Sequence, residues 1–115
     1  MEKIDLMIPI WALYNFKNIN EIVLKIDDSE YLKNVYNLEQ RKKIHSALKW
    51  AKENPNFDFR GIMKDAPVSN ELIFSNSEIY NYLMLFKDFM ENKEYKLLTD
   101  DRPIKKMPHE EGYEE

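Results

Sequence analysis

The chain has 115 residues, enough for one hydrophobic core and too few for two. Its 43% apolar and 33% charged residues are the balance of a folded globular domain, and a net charge of −4 argues against a broad basic surface for nucleic acid. The absence of cysteine excludes disulfides, thiol catalysis and thiolate metal sites, and two glycines (Gly61 and Gly112) are too few for phosphate-cradling loops or a hairpin-rich β fold.

The opening MEKIDLMIPIWALYNF is apolar but is interrupted by Asp5 and Pro9, with no small-residue cleavage site after it. It falls well short of the ~20 apolar residues that span a bilayer. It reads as a core segment, a helix over residues 6–17 with Leu6, Ile10, Leu13 and Tyr14 on one side. Asp5 is then its cap and Pro9 lies in its first turn, where a missing N–H matters little. Asn18 to Asn20 interrupt the pattern. Over residues 19–26, Ile19, Ile22, Val23 and Ile26 recur at helical spacing, although β-branched residues also suit a strand over 22–26. Helix is the expectation.

A short helix over 28–36 follows, with Asp27 and Glu30 spaced as an acidic capping box. Asn37 and Gln40 open the next, over 38–53, which Asn54-Pro55 closes because a residue before proline is steered out of the α region. Ile44, Ala47, Leu48 and Ala51 form its inner stripe, while Arg41, Lys42, Lys43, Lys49 and Lys52 are expected on its surface, with His45 on the flank. Residues 54–74 carry no sustained period and read as an ordered loop pinned by Phe57, Phe59, Ile62 and Met63.

The clearest element runs over 76–92. Ser75 and Glu78 cap it, and Ile79, Tyr82, Leu83, Phe86, Phe89 and Met90 make a wide apolar face that should be central in the core. Tyr80, Met84 and Leu85 lie outside that face; either the N-terminal half packs on them or a partner does. The whole is a mainly α, compact bundle of about five helices over residues 1–98, followed by an extended acidic tail over 99–115.

No catalytic or metal-binding set emerges. A zinc helix needs two histidines one turn apart, but His109-Glu110-Glu111 follows Met107-Pro108 and the only other histidine is His45. His45 has no acidic partner visible in sequence. Glu91-Asn92-Lys93 reads as a polar helix end and Asp100-Asp101-Arg102-Pro103 as a turn, not as a nuclease cluster. The basic run Arg41-Lys42-Lys43 reads as a solvated helix face. No enzyme activity, cofactor, metal, nucleic acid or membrane is expected.

What is left is binding to protein. In size, acidity, missing cysteine and helix content the chain resembles the small immunity proteins that bacteria make against polymorphic or contact-dependent toxins. The resemblance is one of class across the whole chain and carries no residue roles with it. It implies an inhibitor that binds a cognate toxin domain, often a basic nuclease, and an acidic surface would steer such a partner; the missing cysteine makes a reducing cytoplasm the simplest expected compartment. The acidic candidates are Asp27, Asp28 and Glu30, then Asp100, Asp101, Glu110 and Glu111, with Glu114 and Glu115 beyond. Tyr80, Met84 and Tyr113 are the apolar ones. Two other readings stand beside it: a small regulatory or nucleic-acid-associated protein using the basic helix 38–53, which a basic cleft would favour, and an enzyme of unfamiliar type, which a deep pocket at His45 would favour.

Overall fold

The computed structural model describes residues 2–65 and 72–104. They form a helical domain with four α-helices, three short 3₁₀ turns and no strand among the described residues: α1 (Lys3–Trp11), α2 (Ile26–Val35), α3 (Leu38–Glu53) and α4 (Asn76–Glu91). Helix α4 packs on α3 and α1, α1 crosses α3, and α2 leans on α3.

The two long helices start where their capping pairs stand. Asn37 and Gln40 exchange side chain-to-backbone hydrogen bonds of 2.8 and 2.9 Å at the head of α3. Ser75 and Glu78 do the same for α4 at 3.2 and 3.0 Å. Each exchange satisfies amides that would otherwise be left free at a helix start. Both helices then turn the expected faces inward: Ile44, Ala47, Leu48 and Ala51 from α3, and Ile79, Tyr82, Leu83, Phe86, Phe89 and Met90 from α4.

Helix α1 begins at Lys3, earlier than expected, so Asp5 lies inside it and Pro9 near its end. Proline removes an amide donor there, and the chain tightens into a 3₁₀ turn at Ala12–Asn15. Leu6, Ile10 and Leu13 still share one buried side. The buried Tyr82 hydroxyl donates to the Pro9 carbonyl at 2.6 Å, joining α4 to α1, and burial pushes its pKa up.

The expected helix over residues 19–26 does not form. The Asn18 side chain accepts from the Asn20 amide at 2.9 Å and closes a single 3₁₀ turn, Ile19–Glu21. The chain is extended afterwards, until Asp28 accepts from the Lys25 amide at 2.8 Å and starts α2 at Ile26. Asp28 thus does the capping expected of the Asp27 and Glu30 pair. Two local side chain-to-backbone bonds outcompete a helix that apolar spacing alone would support.

The loop before α4 is held by Asn76. Its Oδ1 accepts from the Phe59 amide at 2.8 Å, and its amide nitrogen donates to the Phe57 carbonyl at 2.8 Å. Phe57 and Phe59 then continue an aromatic chain, with Trp50 edge-on to Phe57 at 4.9 Å and Phe59 6.0 Å from Tyr80.

Arg41 departs furthest from expectation. Placed by sequence on the solvated face, it is fully buried. Its Nε donates to the Tyr36 carbonyl at 2.9 Å, and its two terminal nitrogens donate to the Leu97 and Asp100 carbonyls, each at 2.6 Å. The fork joins the α2–α3 junction to the chain that follows α4.

Replacing Arg41 with Ala should therefore lower stability in urea unfolding by at least about 3 kcal/mol, because several charge-assisted bonds go and buried carbonyls lose their donors. Lysine, with one ammonium in place of a fork, should restore only part of it. Phe86→Ala, at a buried position of α4, should cost about 3–5 kcal/mol. A loss below about 1 kcal/mol in either alanine variant would contradict the packing described.

Candidate protein-docking groove

The residues expected to meet a partner divide sharply in the fold. Glu30 and Asp100 are both engaged by Arg102, which donates to Glu30 at 2.7 Å and to Asp100 at 2.6 Å. The buried ammonium of Lys33 lies 3.4 Å from Glu30. These carboxylates clamp the chain after α4 onto α2. Asp27 and Asp101 are exposed, and Asp28 caps α2. Tyr80 and Met84 are half-buried and pack against the core, Tyr80 over Phe59, while Leu85 is exposed. Glu110, Glu111 and Tyr113 lie outside the described residues.

A groove that sequence reading missed opens beside Asp28. It holds about 370 Å³ between the end of α1, the extended chain after Ile22, α2 and α4. Leu32, Tyr82 and Phe86 form its buried floor. Trp11, Val23 and Tyr31 stand at its mouth, 42%, 62% and 51% exposed. Asp28 is the one charged residue in its lining among the described residues. Helical spacing explains the α2 wall, since Asp28, Tyr31 and Leu32 are three and four residues apart and share a side. Trp11 follows the buried Ile10 by one residue, about 100° around α1, so it projects off the core face. A large aromatic residue off an apolar stripe was the available signal. What it faces depends on the other elements.

A second, similar depression of about 380 Å³ lies on the other side of residues 22–24, with Leu85, Phe89 and Tyr95 in its wall and Asp88 as its charged residue. Val23 contributes to both.

The remaining candidate chemistry is more dispersed. His45 does have an acidic neighbour: its Nε2 lies 2.7 Å from Glu91, which also accepts from Lys87 at 3.1 Å. Hydrogen bonds from Lys87, and then from His45, hold the Glu91 carboxyl below its ordinary value. This cluster ties α3 to the end of α4. Lys42 and Lys43 share an open depression of about 480 Å³ with Asp5, Glu39 and Trp50, a lining of mixed charge. Among the described residues no group of three or more His, Asp or Glu is placed to hold a metal ion. No helix among them is long and apolar enough to cross a membrane.

Comparison with protein-family models, with curated proteins and with solved structures gives no match to this chain.

The Arg102 clamp has a pH signature. Desolvation raises Glu30, but the attraction of Lys33 and Arg102 together outweighs it and leaves the carboxyl lowered. Asp100 is lowered first by the hydrogen bond from Arg102. A carboxyl lowered in the folded state stabilises the fold above its ordinary range and loses that contribution as pH falls through the lowered value. Arg102→Gln should therefore reduce stability at neutral pH and shift acid unfolding, followed by far-UV circular dichroism, to higher pH. An unchanged acid midpoint would show that the clamp contributes nothing to the fold.

Proposed function

We propose that this protein works by binding another protein, as an inhibitor of the kind bacterial immunity proteins represent, and that the groove between Trp11 and Tyr31 is where it docks. The observation that carries the reading is the exposure of Trp11, Tyr31 and Val23 together at the mouth of an aromatic groove with Asp28 in its wall. Large aromatic side chains at the mouth of a preformed pocket are the usual anchors of protein interfaces. Their neighbours Asp27 and Asp28 suit a basic partner, such as a toxin domain that itself engages phosphate. The acidic residues further along, Asp101, Glu110 and Glu111, would add to steering, with Tyr113 as an additional anchor.

The nucleic-acid reading loses support from the placement of Arg41, since the basic helix keeps Lys42 and Lys43 at its surface but buries its guanidinium. The two described depressions that charged residues of α3 line gather around Lys42 and do not include His45, so they lend no support to catalysis there.

The test is capture from the native cell with the wild-type protein and a Trp11→Ala, Tyr31→Ala double variant in parallel. A basic protein should be retained by the wild type and lost, or bound at least about a hundredfold more weakly, by the variant. Substituting Asp27 and Asp28 with Asn should instead slow association, most clearly at low salt. Retention of the same partner by the double variant, with unchanged affinity, would remove the groove from the interface. If no protein is retained at all, the inhibitor reading fails.

A further inference from the structure

We infer that the groove between Trp11 and Tyr31 takes the side chain of a single arginine from the partner protein, with its guanidinium against the aromatic rim and the Asp28 carboxylate. The inference rests on the docking reading above and names the group that anchors the partner.

The groove asks for an occupant with an apolar part and a charged one. Its floor includes the buried Leu32 and Phe86, and Trp11 and Tyr31 make its mouth aromatic. Asp28 stands in the wall and is exposed. Its Oδ2 accepts from the Lys25 amide at 2.8 Å, while its Oδ1 has no hydrogen-bond partner among the described residues. Ion pairs among those residues engage Glu30, Glu91 and Asp100, and none reaches Asp28. The Asp28 charge is felt at the groove floor: after burial, it is the second cause that pushes the Tyr82 hydroxyl pKa up.

A partner that covers this mouth takes water away from Asp28, and a carboxylate stripped of water is costly unless a cation replaces it. An apolar anchor would fill the floor and leave that cost standing. An acidic anchor would add repulsion. Lysine brings the charge, but as a compact and strongly hydrated ammonium. Arginine meets both demands. Its hydrocarbon stem can lie over Leu32 and Phe86. Its planar guanidinium is weakly hydrated, stacks on Trp and Tyr rings, and keeps donors for Asp28 Oδ1. Residues three apart on a helix have Cβ atoms roughly 5–6 Å from each other, so one guanidinium spans Asp28 and Tyr31.

The arginine comes from another protein. This chain has three arginines. Arg41 is buried, Arg60 donates to the Leu72 carbonyl, and Arg102 donates to Glu30 and Asp100. A second copy could offer a guanidinium only by giving up bonds within its own fold. A basic partner presents such side chains already exposed.

The probe is a capped pentapeptide, one arginine between pairs of glycines, titrated into the full chain and followed by NMR. The Trp11 indole and Tyr31 ring signals should shift and saturate. Citrulline in place of arginine keeps the shape and loses the charge, and should weaken binding at least about tenfold, the scale of a charge-assisted hydrogen bond. Lysine in its place should also bind more weakly than arginine. Asp28→Asn keeps an oxygen to accept from the Lys25 amide, and the amide spectrum reports that the variant is folded. In it the arginine and citrulline peptides should bind alike. An arginine preference that persists in Asp28→Asn would overturn the inference. So would lysine or citrulline binding as tightly as arginine in the wild type, or no shift with any peptide. If the peptides fail but the cellular partner still depends on Trp11 and Tyr31, only this inference falls. If that dependence is absent too, both readings fall. Trp11 and Tyr31 shifts that grow with protein concentration alone, together with dimer sedimentation, would place a second copy in the groove and overturn the proposal.

Discussion

A buried guanidinium holds this domain in register. Arg41 sits inside the bundle, and its Nε and each terminal nitrogen donate to a backbone carbonyl, of Tyr36, Leu97 and Asp100; among the described residues no carboxylate is hydrogen-bonded to it. Burial of a cation is costly unless every donor finds an acceptor, so the geometry on offer is narrow. The α2–α3 junction and the chain after α4 must both arrive at the same point. Leu97, fully buried next to it, adds apolar burial to that constraint.

The consequences run outward from there. Once the chain at Asp100 is fixed, Arg102 reaches Glu30 on α2, and Lys33 is covered beside it. One side of α2 is thereby committed to internal ion pairs. The opposite side, carrying Asp28 and Tyr31, is left to face Trp11 across the groove. The arrangement separates two uses of negative charge on a short helix: Glu30 contributes to the fold, while Asp27 remains available to solvent. Asp28 does both, since its carboxylate caps the helix and lines the groove.

The extended chain before α2 follows from the same economy of local bonds. The Asn18 turn ends one element and the Asp28 cap begins the next, and the residues between them are too few to form a helix with its own core contacts. They are left extended, with Ile22 turned into the core and Val23 exposed at the surface.

Much of this was written locally in the sequence. Helices α3 and α4 begin at the capping pairs Asn37–Gln40 and Ser75–Glu78 and bury the faces their periodicity marks, because capping and periodicity involve residues only three or four apart. The all-helical class follows from them and from the scarcity of glycine. Residues 19–26 misled because helix and strand patterns coincide over so short an apolar run, and side chain-to-backbone bonds decided between them. Arg41 looked like its neighbours Lys42 and Lys43; its acceptors stand up to 59 positions away, where no local pattern records them. The groove was equally hidden. Trp11, Val23, Tyr31 and Phe86 come from four separate parts of the chain, and only the packing of α1, α2 and α4 around one core brings them to a common surface.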